Sequence, residues 1–247
     1  MTYCLAIQVD EGIAFAADTR ASAGVDYVTS YSKLHCFDTN ENTLVALLSA
    51  GSLATSQEVV SWIRRDLQQD NAENLNRFSR MFEVAAYVGR VSQAVQASHR
   101  AALQASGVNG QATFILGGQV RGEPASIYLV YGEGNFIRSS VDTPYLQIGE
   151  TKYGKPILDR LVSPTLSLGQ ATRLAVLSLN ATIKSNLTVG TPLDLGIYRS
   201  DSFQPLVTSR LDSEDAYYRS VNDGWNSALT DAFRRLPDFE WGEHEAR

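Results

Sequence analysis

A threonine stands directly behind the opening methionine. Removal of Met1 would leave Thr2 with a free α-amine, whose unperturbed pKa is about 8. That amine can accept the proton of the Thr2 hydroxyl, directly or through a water, so that nucleophile and base share one residue. A Met-Thr start is commonplace and taken alone says little; companions matter. Asp18 opens the run Asp18-Thr19-Arg20-Ala21-Ser22-Ala23-Gly24, and Lys33 is the only lysine before Lys152. A lysine held between Asp18 and Thr2 would stay charged, lower the pKa of the hydroxyl and disfavour protonation of the amine. Ser49-Ala50-Gly51-Ser52 marks a strand-to-helix junction, where a backbone N–H can stabilise a developing oxyanion. Singly, these are a strand-end aspartate, an edge lysine and an ordinary cap. Their joint occurrence points to a hydroxyl nucleophile.

Other common chemistries are missing. The chain has no CxxC, HExxH, Gly-x-Ser-x-Gly or P-loop pattern. Its three histidines, His35, His99 and His244, fall in a strand pattern, a helix pattern and the tail, and read as structural or surface residues.

The elements that would position these residues follow from periodicity and turn chemistry. Tyr3–Val9 and Ile13–Ala17 read as a hairpin around Asp10-Glu11-Gly12, which brings Asp18 back beside the start of the first strand. Lys33–Phe37 and Leu44–Ala50 read as further strands, and Ser52 caps a helix to about Gln69. A longer helix is expected from Asn76 to about Ala105, then strands at 112–116, 127–130 and 146–148. Helices over Lys155–Leu161 and Gln170–Lys184, a strand at Leu193–Tyr198 and a last helix from about Ser213 to Arg235 complete the order, with a frayed tail from Asp238. Segregated runs of strands and helices imply α+β layering, within one domain.

At 247 residues with 44% hydrophobic and 19% charged side chains, the chain can bury a sizeable core. A net charge of −6 argues against nucleic acid, and no apolar run reaches the roughly 20 residues of a membrane span. With no leader pattern and only Cys4 and Cys36, a cytoplasmic protein without a disulfide framework is expected. The tripeptides 180–182 and 186–188 fit the glycosylation pattern but carry no weight in that setting. No cofactor or metal is called for.

Thr2, followed sixteen residues later by Asp18-Thr19-Arg20-Ala21-Ser22-Ala23-Gly24, resembles the proteasome β subunits, whose processed threonine precedes Asp-Ser-Arg-Ala-Thr-Ala-Gly at the same separation. The family's lysine falls on Lys33, one residue early. Its oxyanion segment falls on Ala50-Gly51, and its substrate-aligning threonine on Ser22, whose main chain would pair with a peptide as an added strand. Three positions depart. The family's active-site serine falls on Glu150, and its supporting aspartate and serine fall on Ser185 and Thr188. The opening Met-Thr-Tyr-Cys is similar to the bacterial Anbu, or ancestral β subunit, family. The resemblance implies a four-layer αββα sandwich of the N-terminal-nucleophile hydrolase type, with a C-terminal helical extension over about 199–247. It implies a threonine peptidase that assembles with copies of itself into a ring or helix and takes a peptide or protein substrate; an unfoldase partner is left open. A small-amide or isopeptide amidase with the same nucleophile, and a catalytically weak scaffold subunit, stay open as alternatives.

Overall fold

The computed structural model describes residues 2–22 and 28–239. Met1, the Ala23-Gly24 end of the Asp18 motif and His244 therefore lie outside the described residues, as does the tail from residue 240. The chain opens with β1 (Tyr3–Val9) and β2 (Gly12–Asp18), followed by the short β3 (Arg20–Ser22), β4 (Val28–Ser30) and β5 (Leu34–Cys36). The long β6 (Thr43–Gly51) then leads into α1 (Leu53–Gln68) and α2 (Met81–Ser106). Strands β7 (Ala112–Val120), β8 (Ser126–Val130), β9 (Phe136–Arg138) and β10 (Tyr145–Gly149) come next. They are followed by α3 (Lys155–Leu161), α4 (Leu168–Ser185), β11 (Leu193–Arg199), β12 (Val207–Leu211) and α5 (Ala216–Arg234).

Two five-stranded antiparallel sheets stack face to face, in the orders β10-β1-β2-β11-β12 and β5-β6-β7-β8-β9. Side-chain alternation explains why both faces are apolar. In β1, Tyr3, Leu5, Ile7 and Val9 pack beneath α3, α4 and α5, while Cys4 and Ala6 enter the core between the sheets with Phe15, Leu48 and Ile115. A third core, built on Leu47, Phe114 and Leu116, joins the second sheet to α1 and α2. Three apolar cores between four layers make the αββα sandwich.

Local chemistry sets the boundaries where they differ from expectation. The second helix starts at Met81 rather than Asn76. The Asn74 side chain caps the turn at Asn76, and the Glu83 carboxylate accepts the N–H groups of Ser79 and Arg80, which fixes the first turn there. Ser167 and Gln170 exchange bonds in a capping box, so α4 opens at Leu168. The segment after Tyr198 is not wholly helical: β12 pairs with β11 from Leu193↔Leu211 to Ile197↔Val207 before α5 begins at its Asp215 cap. No helix among the described residues is long and apolar enough to cross a membrane.

Candidate active site

The register of the first hairpin decides what stands beside Thr2. Cys4 pairs with Ala17, so the end of β2 comes level with the start of β1. Asp18 accordingly accepts the Tyr3 N–H at 3.0 Å on Oδ1, which also receives Lys33 Nζ at 2.6 Å, and Gly190 N–H reaches Oδ2 at 3.4 Å. Lys33 Nζ donates again to Arg20 O at 2.7 Å, and the Lys33 carbonyl accepts Ser49 N–H at 3.1 Å. Asp18 is 0% and Lys33 4% exposed. Burial pushes the Asp18 carboxyl up from its ordinary value, while the Lys33 ammonium and the two N–H donors pull it back. A buried ion pair is thus fastened one residue from Thr2, which is half-buried.

Gly51 closes β6 with φ at +98°, and a Cβ there would drive into the Gln111 carbonyl. That carbonyl accepts Ser52 N–H at 2.8 Å, and Ser52 Oγ caps α1 by accepting Thr55 N–H. Because N–H directions alternate along a strand, Gly51 N–H leaves β6 on the same edge as Ser49 N–H. Ser49 meets Lys33 there, but β5 pairs only as far as Leu48, so among the described residues no strand pairs with that edge at Gly51, which is exposed. Ser22 ends β3 opposite Val28.

Gly149, at φ +85°, lies so close to the Thr2 carbonyl that a Cβ would collide with it. The next residue, Glu150, donates its N–H to that same carbonyl at 2.7 Å. The Glu150 carboxylate takes Asn186 Nδ2 at 3.1 Å on Oε2 and Lys152 N–H at 3.3 Å on Oε1. Asn186 Oδ1 in turn accepts Thr188 Oγ1 at 2.6 Å and Thr188 N–H at 3.0 Å. Ser185, expected in this group, is the exposed last residue of α4 and enters none of these bonds. Asn186 fills that place. The strap from Asn186 to Pro192 is tied to the site elsewhere too: Arg20 donates to Leu187 O at 2.6 Å, and Thr19 N–H and Oγ1 donate to Pro192 O.

Among the described residues no serine–histidine alternative is assembled. His35 Nε2 lies 3.3 Å from Ser49 Oγ, but Ser49 is buried, and Asp194 is clasped by Arg210 instead of orienting the imidazole. Burial, with Arg64 nearby, lowers His35 to about 4 and so keeps it neutral. His99 pairs with Glu58 on the surface. Cys4 is enclosed, its thiol pushed up by burial.

Residues 2–198 match the proteasome subunit family model. The chain belongs to the proteasome family. No curated protein is matched. Among solved structures, an Anbu (Gly-1) mutant from Hyphomicrobium sp. strain MC1 is 39% identical with a TM-score of 0.89, the alignment covering 97% of this chain and 100% of that one. Anbu from Yersinia bercovieri is 37% identical with a TM-score of 0.90, covering 97% and 99%. Anbu from Pseudomonas aeruginosa, solved as a helical assembly, is 36% identical with a TM-score of 0.92, also covering 97% and 99%. The match to these Anbu chains continues past Tyr198 into β12 and α5. The chain is thus a proteasome-type subunit of the hydrolase kind, similar to Anbu over nearly its whole length.

Proposed function

We propose that the chain is a self-assembling threonine peptidase of the cytoplasm, with Thr2 as the nucleophile once Met1 is removed. The observation that carries this reading is the buried Asp18–Lys33 pair docked on the Tyr3 N–H. Its ammonium lowers the pKa of a hydroxyl beside it and disfavours protonation of the Thr2 amine, which a hydroxyl nucleophile requires. The amine takes the hydroxyl proton as Thr2 Oγ1 bonds to the substrate carbonyl. Gly51 N–H donates to the developing oxyanion, and Ser22 aligns the peptide main chain along the open edge. The C–N bond then breaks, the amine proton passes to the leaving nitrogen, and water hydrolyses the acyl ester. Glu150 and Thr188 support the amine side of the site. Self-assembly draws on the helical Pseudomonas aeruginosa relative, and the two unpaired cysteines suit a reducing compartment.

Hydrolysis of a fluorogenic peptide library tests the reading. The processed wild type should cleave some members and Thr2→Ala none. Equal cleavage by both proteins would refute the nucleophile. Cleavage confined to small amides would select the amidase reading. No cleavage by either, with assembly intact, would select the scaffold.

A further inference from the structure

Glu150 is 9% exposed, and among the described residues no lysine, arginine or histidine pairs with it. An ionised carboxylate offers about four acceptor positions. This one receives two donors, at 3.1 and 3.3 Å, neither of them charged. A carboxylate buried to this degree is costly without a counter-charge. Its position says where one would arise. The β1–β10 register ends at Tyr3 and Gly149, and just beyond it the two backbones are still joined, by Glu150 N–H donating to Thr2 O at 2.7 Å. Excision of Met1 converts the Thr2 amide nitrogen into an ammonium at that point.

We propose that Glu150 is the counter-charge of the Thr2 α-amine, created when Met1 leaves, and that Asn186 is the residue that holds it in place. The Asn186 amide has one orientation. Thr188 N–H can only donate and so fixes Oδ1, which leaves Nδ2 for the carboxylate. Thr2 is then gripped from two sides, with the Asp18–Lys33 pair tuning the hydroxyl and Glu150 orienting the amine and retaining its proton between steps. The inference rests on Thr2 acting as the nucleophile.

Among the described residues, the charged and titratable groups of the elements that meet at Thr2 are Tyr3 and Cys4 from β1, Asp18 from β2, Arg20 from β3, Lys33 ahead of β5, His35 from β5, Glu150 and Lys152 on the turn after β10, and Asp194 from β11. His35 titrates at about 4 and burial pushes Cys4 up, so neither ionises near neutrality. Burial raises the Asp18 carboxyl too, but Asp18 keeps Lys33 in every variant, so a change in the acid limb of Thr2 alkylation by a peptide epoxyketone between wild type and a Glu150 variant reports the amine. In Glu150→Gln the new side chain still accepts from Asn186 but carries no charge, so the limb should fall by roughly one pH unit, about a tenfold gain in rate on its acid side. The exchange Glu150→Gln with Asn186→Asp keeps one carboxylate and its hydrogen bond but moves the charge back from Thr2. It should fold even where the single variant does not, with a limb between the other two. A lower rate with an unmoved limb in both variants would overturn the proposal and leave Glu150 a structural residue. Melting gives a readout independent of reactivity: loss of Met1 should raise the Tm of the wild type but not of Glu150→Gln, and equal gains would also overturn the proposal. Absence of any Thr2 adduct in the wild type, with the Met1-dependent Tm gain present, would instead sink the nucleophile and spare the amine pairing.

Discussion

Lys33→Ala should damage activity and stability together, by amounts the site geometry sets. The ammonium lies 2.6 Å from an Asp18 oxygen, and both groups are almost fully enclosed. Removing it leaves the carboxylate, among the described residues, with the Tyr3 and Gly190 N–H donors, the second at 3.4 Å. Breaking one side of a buried pair costs about 3–5 kcal/mol. At roughly 2–4 °C per kcal/mol for a chain of this size, the Tm should drop by about 10 °C while the fold survives. The loss should depend on pH. Burial raises the Asp18 carboxyl above its unfolded value even with Lys33 present, and without the ammonium it rises further. A group whose folded pKa is raised stabilises the fold below its unfolded pKa, and that contribution disappears as pH climbs through the folded one. Lys33→Ala should therefore recover part of its Tm on acidification from neutral towards pH 5. Calorimetry across that range, alongside turnover, makes the test. A variant within about 1 kcal/mol of wild type at neutral pH, or one that loses further stability on acidification, would show that Lys33 is not the buried counter-charge of Asp18.

Lys33→Arg should not restore turnover. The Asp18 and Arg20 oxygens close on a compact ammonium at 2.6 and 2.7 Å, and a planar fork does not reproduce that arrangement; full activity in this variant would contradict the geometry. Gly149→Ala should cost about 1–3 kcal/mol through its positive φ and displace Thr2, which urea unfolding and peptide turnover would register together. His35→Gln should flatten the stability profile between pH 6.5 and 4. The wild-type imidazole is held neutral to about 4, so its contribution is present above its unfolded pKa and lost as pH falls, to a total of up to about 3 kcal/mol. An unchanged profile would show that His35 is not buried as a neutral group.

Much of the first third of the site was legible because it is local. The β1–β2 turn fixes where Asp18 falls, and the Ser52 cap fixes the end of β6. α3 runs from Lys155 to Leu161 as its pattern suggests. The short β3, β4 and β9 escaped periodicity, since three residues carry too little of a period to read. β12 escaped for another reason: Val207–Arg210 are exposed on an edge strand and show no apolar alternation. The far side of the site depends on contacts across long sequence separations. Asn186 meets Glu150 from 36 residues away, and Gly190 meets Asp18 from 172. In the sequence, Asn186-Leu187-Thr188 matches an acceptor tripeptide, and only Thr188 of the three falls on a supporting position of the family. In the fold, the same asparagine and threonine bond each other, and the leucine between them is 88% exposed while its carbonyl receives Arg20. Spacing aligned Ser185 with the supporting position; the chain leaving α4 at Asn186 turned the next residue inward instead.

If Thr2 carries the nucleophile and its base together, a peptide epoxyketone reads both at once. Its two electrophilic carbons can close a six-membered morpholine ring only with a hydroxyl and an amine on adjacent carbons, as in an N-terminal threonine. Intact-mass analysis followed by peptide mapping should find the native chain without Met1, one inhibitor mass added, and the adduct on Thr2, with none in Thr2→Ala. Retention of Met1 throughout, or an adduct mapped to Cys4 or Cys36, would exclude Thr2 as the nucleophile.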